Sequence, residues 1–138
     1  MDWGERRIGL ALSDETQILA QPLTTLTRRT GKRFPMAQLL ELITRHNVVA
    51  IVVGLPLDES GAEGDAAHAA RALADDIKRR VGDQVEVVMW DERMTTARVL
   101  SAIREMGGST RGRKEDVDAM AAALLLQNYL DSKRGSAL

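Results

Sequence analysis

Four acidic residues fall where a folded chain could gather them: Asp2, Asp91, Glu92 and Asp118. Asp2 precedes the apolar run "IGLAL", Asp91 and Glu92 follow directly on "VEVVMW", and Asp118 leads into "AMAAALLL". Taken singly, each has an ordinary use. An acid after a strand solvates a loop, and an Asp in a first helical turn complements the helix dipole. Taken together, they suit metal-assisted chemistry. The chain has no cysteine, and His46 and His68 are its two histidines. Thiolate zinc sites are therefore excluded, and a cation must be held mainly by carboxylate oxygen, which suits Mg²⁺ or Mn²⁺. Clustered carboxylates around such an ion, without Cys–His or Ser–His machinery, point to phosphoryl transfer, where metal activates water and stabilises the leaving oxygen.

Asp118 carries a further signal. Its helical face continues with Ala122, Leu125 and Leu126. A carboxylate on so apolar a face is costly without a partner. A divalent cation shared with Asp91 or Glu92 would serve, and so would an arginine. Arginines and a lysine lie beside every acid: Arg6 and Arg7 after Asp2, Arg93 after Glu92, and Arg111, Arg113 and Lys114 before Asp118. Each alone reads as charge compensation. As a set they would turn a metal site into a phosphodiester-binding site.

The elements that must position these residues follow from pattern. "IGLALSD" (8–14) reads as a strand, and "QILAQPLTTLTR" continues extended, with Pro22 favouring an edge or bend. "PMAQLLELITRH" (35–46) is helical, with Pro35 suited to a first turn. "VVAIVVGLP" (48–56) reads as a strand buried on both faces. Residues 66–81 form a helix whose apolar line is Ala66, Ala70, Leu73, Ile77 and Val81. "VEVVMW" (85–90) is another buried strand. Residues 95–108 read as a Thr-capped helix with an apolar stripe of Val99, Leu100, Ile103 and Met106, and residues 116–133 as the last helix. A buried strand, a crossover helix and a second buried strand argue for mixed α/β with a parallel portion, and the first strands for an antiparallel meander beside it.

Composition sets the outer bounds. The 138 residues are 44% apolar and 28% charged, which fits one domain over 1–138 with its own core. The formal net charge of −1 gives no global signal for nucleic acid, although a local basic patch needs a handful of residues. Aromatics are 3%, so base-stacking platforms are scarce. No apolar run reaches membrane-spanning length and no signal peptide is evident, which gives the expectation of a soluble, cytoplasmic protein.

The pieces "DWGERRIGLALSD", "IVVGLPLDESG", "WDERMTT" and "VDAMAAALLLQNYLD" together resemble the YqgF/RuvX family, whose members are described as pre-16S rRNA nucleases and as Holliday-junction-resolvase-like proteins. They occur in family order over nearly the whole chain. The resemblance implies an RNase H-like fold, a five-stranded mixed sheet with helices on both faces, and a carboxylate site using divalent metal. The first-strand acid corresponds to Asp2, the acid after the fourth strand to Asp91 or Glu92, and the last-helix acid to Asp118. Alternation along "VEVVMWDE" would put Asp91 and Glu92 on opposite faces, one toward the metal and the other supporting Arg93 or a helix N-terminus. Family members carry several apolar residues before the first acid. Here Met1 alone precedes it, so the first strand is expected to be truncated.

The leading expectation is a metal-dependent nuclease acting on structured RNA, in processing of the 16S rRNA precursor, as a monomer or homodimer. Cleavage of branched DNA is the alternative within nucleases, and it would ask for a symmetric dimer because two strands are cut. A non-catalytic nucleic-acid or ribosome-associated binding protein is the alternative of another class. "DWGERR" also looks like the first phosphate loop of actin-like ATPases and sugar kinases. Those close a cleft between two such domains, and this chain holds one.

Overall fold

The structure is a computed structural model that describes residues 1–4, 6–28, 33–94 and 114–136. In chain order the elements are β1 (Arg7–Ser13), β2 (Ala20–Thr27), α1 (Met36–Arg45), β3 (Ala50–Leu55), α2 (Asp65–Val81), β4 (Glu86–Asp91) and α3 (Lys114–Ser136). The helix expected over 95–108, with its stripe of Val99, Leu100, Ile103 and Met106, lies outside the described residues, as do Arg111 and Arg113.

The mixed α/β class holds, but the sheet differs from the expected single five-stranded one. Among the described residues there are two two-stranded sheets. β1 and β2 form an antiparallel hairpin, with Ile8 opposite Leu26, and β3 and β4 pair in parallel, with Val53 opposite Met89. The hairpin turn is organised by Asp14, whose carboxylate accepts the Thr16 hydroxyl and the N–H groups of Ile18 and Leu19. The register slips between Leu10 and Ala11, where Pro22 faces Ala11. Proline brings no ladder donor, and a slip at that point is how a sheet edge tolerates it. Residues 20–27 are therefore an edge strand, as the proline suggested.

Between the two sheets runs Met1–Asp2. The Asp2 N–H donates to the Gly9 carbonyl at 2.9 Å and the Gly9 N–H returns to Asp2 O at 3.0 Å. On the other side, the Met1 amino group donates to Val52 O at 2.6 Å and the Gly54 N–H donates to Met1 O at 3.0 Å. The pattern is antiparallel toward β1 and parallel toward β3, as for a central strand two residues long. Beyond it, β1 and the start of β3 flank a cavity of about 820 Å³ that reaches α1 and α3.

Side-chain alternation sorts the helices onto two faces. Ile8, Leu10, Leu26, Ile51 and Val53 share one buried cluster with Leu39 and Ile43 of α1 and with Ala70, Leu73, Ala74 and Ile77 of α2, and Met1 and Trp3 pack against it. The buried line of α2 begins at Ala67 rather than at Ala66, which is exposed. Steps of three and four from Ala67 reach Ala70, Leu73, Ala74 and Ile77, and Ala66 stands off that line. α1 ends where Asn47 turns left-handed at φ 52, and α2 ends at Gly82, φ 66.

α3 covers the other face and packs along β1 and β2. Its closest approach is at Gly9. A Cβ there would lie 2.0 Å from Asp118 O and 3.1 Å from Ala119 N. Helix backbone thus rests directly on strand backbone, which a residue without a side chain alone permits. Farther along, Gln127 clasps the hairpin turn by accepting from Ala20 N–H and donating to Ile18 O.

Two predictions follow from this core. Gly9→Ala pushes against main chain that cannot yield locally, and should cost ~3 kcal/mol or more in urea denaturation. The second concerns pH. Burial lowers the Met1 amino group from 8.0 to about 6, with Asp2 and Glu92 partly countering. Between those values the unfolded chain binds a proton that the folded chain does not. This amino group should therefore cost the 138-residue chain about 2–3 kcal/mol as pH falls from 8 to 6, and its own contribution levels off below that. Acetylating that nitrogen removes the charge, keeps one N–H for Val52 O, and should flatten the denaturation profile over this range.

Candidate active site

The predicted acids divide between two surroundings. Asp2 is one residue from Met1 and Trp3, which pack into the opposite core, so alternation turns its side chain toward α3. It is 5% exposed and the one buried charged side chain among the described residues. Asp91 is the last residue of β4, opposite Leu55, and Glu92 begins a short 3₁₀ turn, Glu92–Met94. The two acids part company there. Asp91 accepts the Arg93 backbone N–H at 2.9 Å and receives its guanidinium on both oxygens, at 2.8 to 3.2 Å. That guanidinium holds the Asp91 carboxyl below the usual carboxylate range, and Arg93 is raised in turn by Asp91 and further by Asp58.

Glu92 goes the other way, over β3. A Cβ on Gly54 would stand 2.7 Å from Glu92 Oε1 and 3.2 Å from Leu125 Cδ1 of α3. The missing side chain at Gly54 is the space the Glu92 carboxylate occupies. Asp2 and Glu92 both raise the pKa of the Met1 amino group, so both lie near it. Of the pair left open in sequence, Glu92 therefore shares the α3 face with Asp2, and Asp91 supports Arg93.

Asp118 lies in the first turns of α3, with its backbone on Gly9, the residue paired with Asp2. The partner its apolar face requires is an arginine: Arg7 Nε donates to Asp118 Oδ2 at 2.6 Å. The side chains are 38% and 20% exposed, so the contact is half in water and its main effect is orientation rather than stability.

The basic residues divide. Arg7 and Arg93 are committed to acids of the site, with part of each guanidinium still open. Arg6 is exposed, and Lys114 opens α3, its side chain outside the described set. Arg111 and Arg113 fall outside the described residues. The loop after β3 adds a part the sequence did not assign. Asp58 accepts the N–H groups of Ser60 and Ala62 and the Ser60 hydroxyl, which shapes a turn with Gly61 at φ +88. A Cβ on Gly61 would sit 3.3 Å from Arg93 Nη1, so this loop backs the Arg93 guanidinium.

All donors here are hard oxygens, the chemistry that Mg²⁺ or Mn²⁺ takes. Among the described residues, no three carboxylates already converge as a metal-binding group. Asp2 and Glu92 offer a pair, and Asp118 stands as a third acid held by Arg7. Gly54→Ala tests this arrangement. The clash is with the end of a flexible side chain, so stability should fall by ~1 kcal/mol, while displacement of Glu92 should weaken Mn²⁺ binding in calorimetry about tenfold.

Comparison with known proteins agrees with the order of these parts. A family model described as "RuvX: Holliday junction resolvase" matches residues 1–132. The chain is 38% identical over 134 residues to a protein of Myxococcus xanthus (strain DK1622) named "Putative pre-16S rRNA nuclease", covering 97% of this chain and 87% of that protein. Proteins of the same name from Anaeromyxobacter sp. (strain Fw109-5) and Acetivibrio thermocellus are 41% and 37% identical over 133 residues, which is 96% of this chain in both cases and 95% and 94% of theirs. A family match spanning the acids on three separate segments, and relatives aligned almost end to end, place this chain in the RuvX (YqgF) family.

Proposed function

We propose that residues 1–138 act as one RNase H-like nuclease domain that hydrolyses phosphodiester bonds of structured RNA, in processing of the 16S rRNA precursor in the cytoplasm. The observation that supports this reading is that Asp2, the Glu92 carboxylate over Gly54 and the start of α3 over Gly9, from three distant parts of the chain, all adjoin the same two-residue strand. In this reading the two strand pairs are parts of one mixed sheet, with Met1–Asp2 supplying the shared strand. The names borne by the relatives favour the rRNA precursor as substrate. Among the described residues no helix is long and apolar enough to cross a membrane.

Asp2, Glu92 and Asp118 would hold Mg²⁺ or Mn²⁺, which supplies an activated water and neutralises charge on the scissile phosphate. The protein's own residues set the conditions for that. Gly54 keeps room for the Glu92 carboxylate, and Gly9 brings the start of α3 down to the strand beside Asp2. Arg7 holds Asp118, and Asp91 holds the fork of Arg93, whose open edge would take a phosphate oxygen. Arg6, which is exposed, would extend the positive rim.

The family description favours branched DNA as the second reading. One panel separates the readings: labelled single-stranded RNA, duplex RNA, single-stranded DNA and a four-way junction, each with Mn²⁺, Mg²⁺ or chelator. Metal-dependent cleavage of RNA is expected, with Glu92→Gln and Asp118→Asn slower by ~100-fold or more. Asp91→Asn should lose about tenfold and match Arg93→Ala, because the two remove one device. Junction cleavage alone would favour the resolvase. Binding without cleavage in any metal would favour a non-catalytic binding protein, and equal rates for Asp118→Asn would remove Asp118 from the site.

A further inference from the structure

A second site lies on the other face of the sheet. A cavity of about 590 Å³, within the ~300–1,000 Å³ span of ligand pockets, opens between the start of the chain, the segment before α1, and the last turns of α2. Trp3 and Phe34 both line it. Each also packs against the core cluster, so each ring is anchored on one side and borders the cavity on the other. The chain has four aromatic residues in all, and the other two, Trp90 and Tyr129, meet each other edge to face at 5.4 Å. Half of a scarce resource is thus concentrated at one pocket.

The charge there is also uneven. Among the described residues, Arg28, Arg33, Arg79 and Arg80 line the cavity with one acid, Asp76. Asp76 is taken by Arg79 through an i, i+3 ion pair. Arg33 and Arg80 are exposed and have no ion-pair partner among the described residues. Two exposed guanidinium groups, Arg33 and Arg80, beside two aromatic walls suit an anion of matching shape.

From this juxtaposition we propose that the pocket binds a nucleoside phosphate, with its base against Trp3 and Phe34 and its phosphate on Arg33 and Arg80. Planar rings stack on any base, and guanidinium forks grip phosphate oxygens in pairs. The same unit occurs free, as a mononucleotide, and within an unpaired RNA strand, and the pocket chemistry is shared by both. The site is separate from the carboxylates. Trp3 and Ile8 face it, whereas their neighbours Asp2 and Gly9 face α3. It therefore does not depend on the nuclease reading.

Isothermal titration of the intact chain tests this, with chelator present so that the carboxylate site binds no metal and cuts no RNA. The probes are AMP, GMP, adenosine, inorganic phosphate and a five-nucleotide single-stranded RNA. A nucleoside monophosphate or the RNA should bind at least about tenfold more tightly than adenosine or phosphate alone, since both halves of the pocket are then used. Arg33→Ala with Arg80→Ala should lower that affinity about tenfold at unchanged thermal stability, because both residues are exposed. Binding by AMP or GMP assigns a free nucleotide, and binding by the RNA alone assigns a strand contact. The proposal is overturned if none of the probes binds at millimolar concentration, if phosphate alone binds as well as AMP, or if the double variant binds like the wild type.

Discussion

Four backbone hydrogen bonds made by two residues link the two strand pairs of this protein. Asp2 exchanges two with Gly9, and Met1 makes one to Val52 and receives one from Gly54. Everything at the carboxylate site depends on that join. Asp2 is fixed by it directly. Gly9 and Gly54, its two partners, are also the positions where the absence of a side chain admits the start of α3 and the carboxylate of Glu92. One short strand therefore sets the spacing of three acids that are far apart in sequence. The same strand presents Trp3 to the arginine-lined pocket on the reverse face, so both sites share one piece of backbone.

Arg7 and Arg93 are each oriented by an acid. Arg93 is held by Asp91 and backed by the Asp58 loop, and Arg7 is held by Asp118. Each such pair is partly exposed and adds little to stability. Its value lies in geometry: a guanidinium already locked into one rotamer loses less freedom when it meets a second anion.

Much of this was legible in the sequence, for reasons that are local. Alternation along "VEVVMWDE" put Asp91 and Glu92 on opposite faces with one supporting Arg93, and the structure has that division. The apolar face of Asp118 called for a partner, and Arg7 provides it. Pro22 marked an edge strand. What stayed hidden depends on distant contacts. Nothing near Gly9 in sequence announces that a helix more than 100 residues later will rest on it. The low aromatic content suggested that stacking surfaces were scarce, because composition cannot show that Trp3 and Phe34 converge. On α2, Ala70, Leu73 and Ile77 are buried as expected and the first member differs, Ala67 in place of Ala66, because alanines fill both the buried and the exposed positions of that turn. The expected single five-stranded sheet is not what the described residues show: they form two strand pairs, and only Met1–Asp2 hydrogen-bonds to both β1 and β3.

The register slip at Pro22 also bears on how this protein behaves in a crowded solution. β2 is the outer strand of its hairpin, and an outer strand is a template on which another chain can add. Pro22 offers no N–H, and the slip opposite Ala11 bends the ladder at the same point. An incoming strand would find its run of hydrogen bonds interrupted near the start of β2. The residue that makes the hairpin irregular thus also limits the sheet's growth, and a straighter, better-paired β2 would make the protein more prone to self-association.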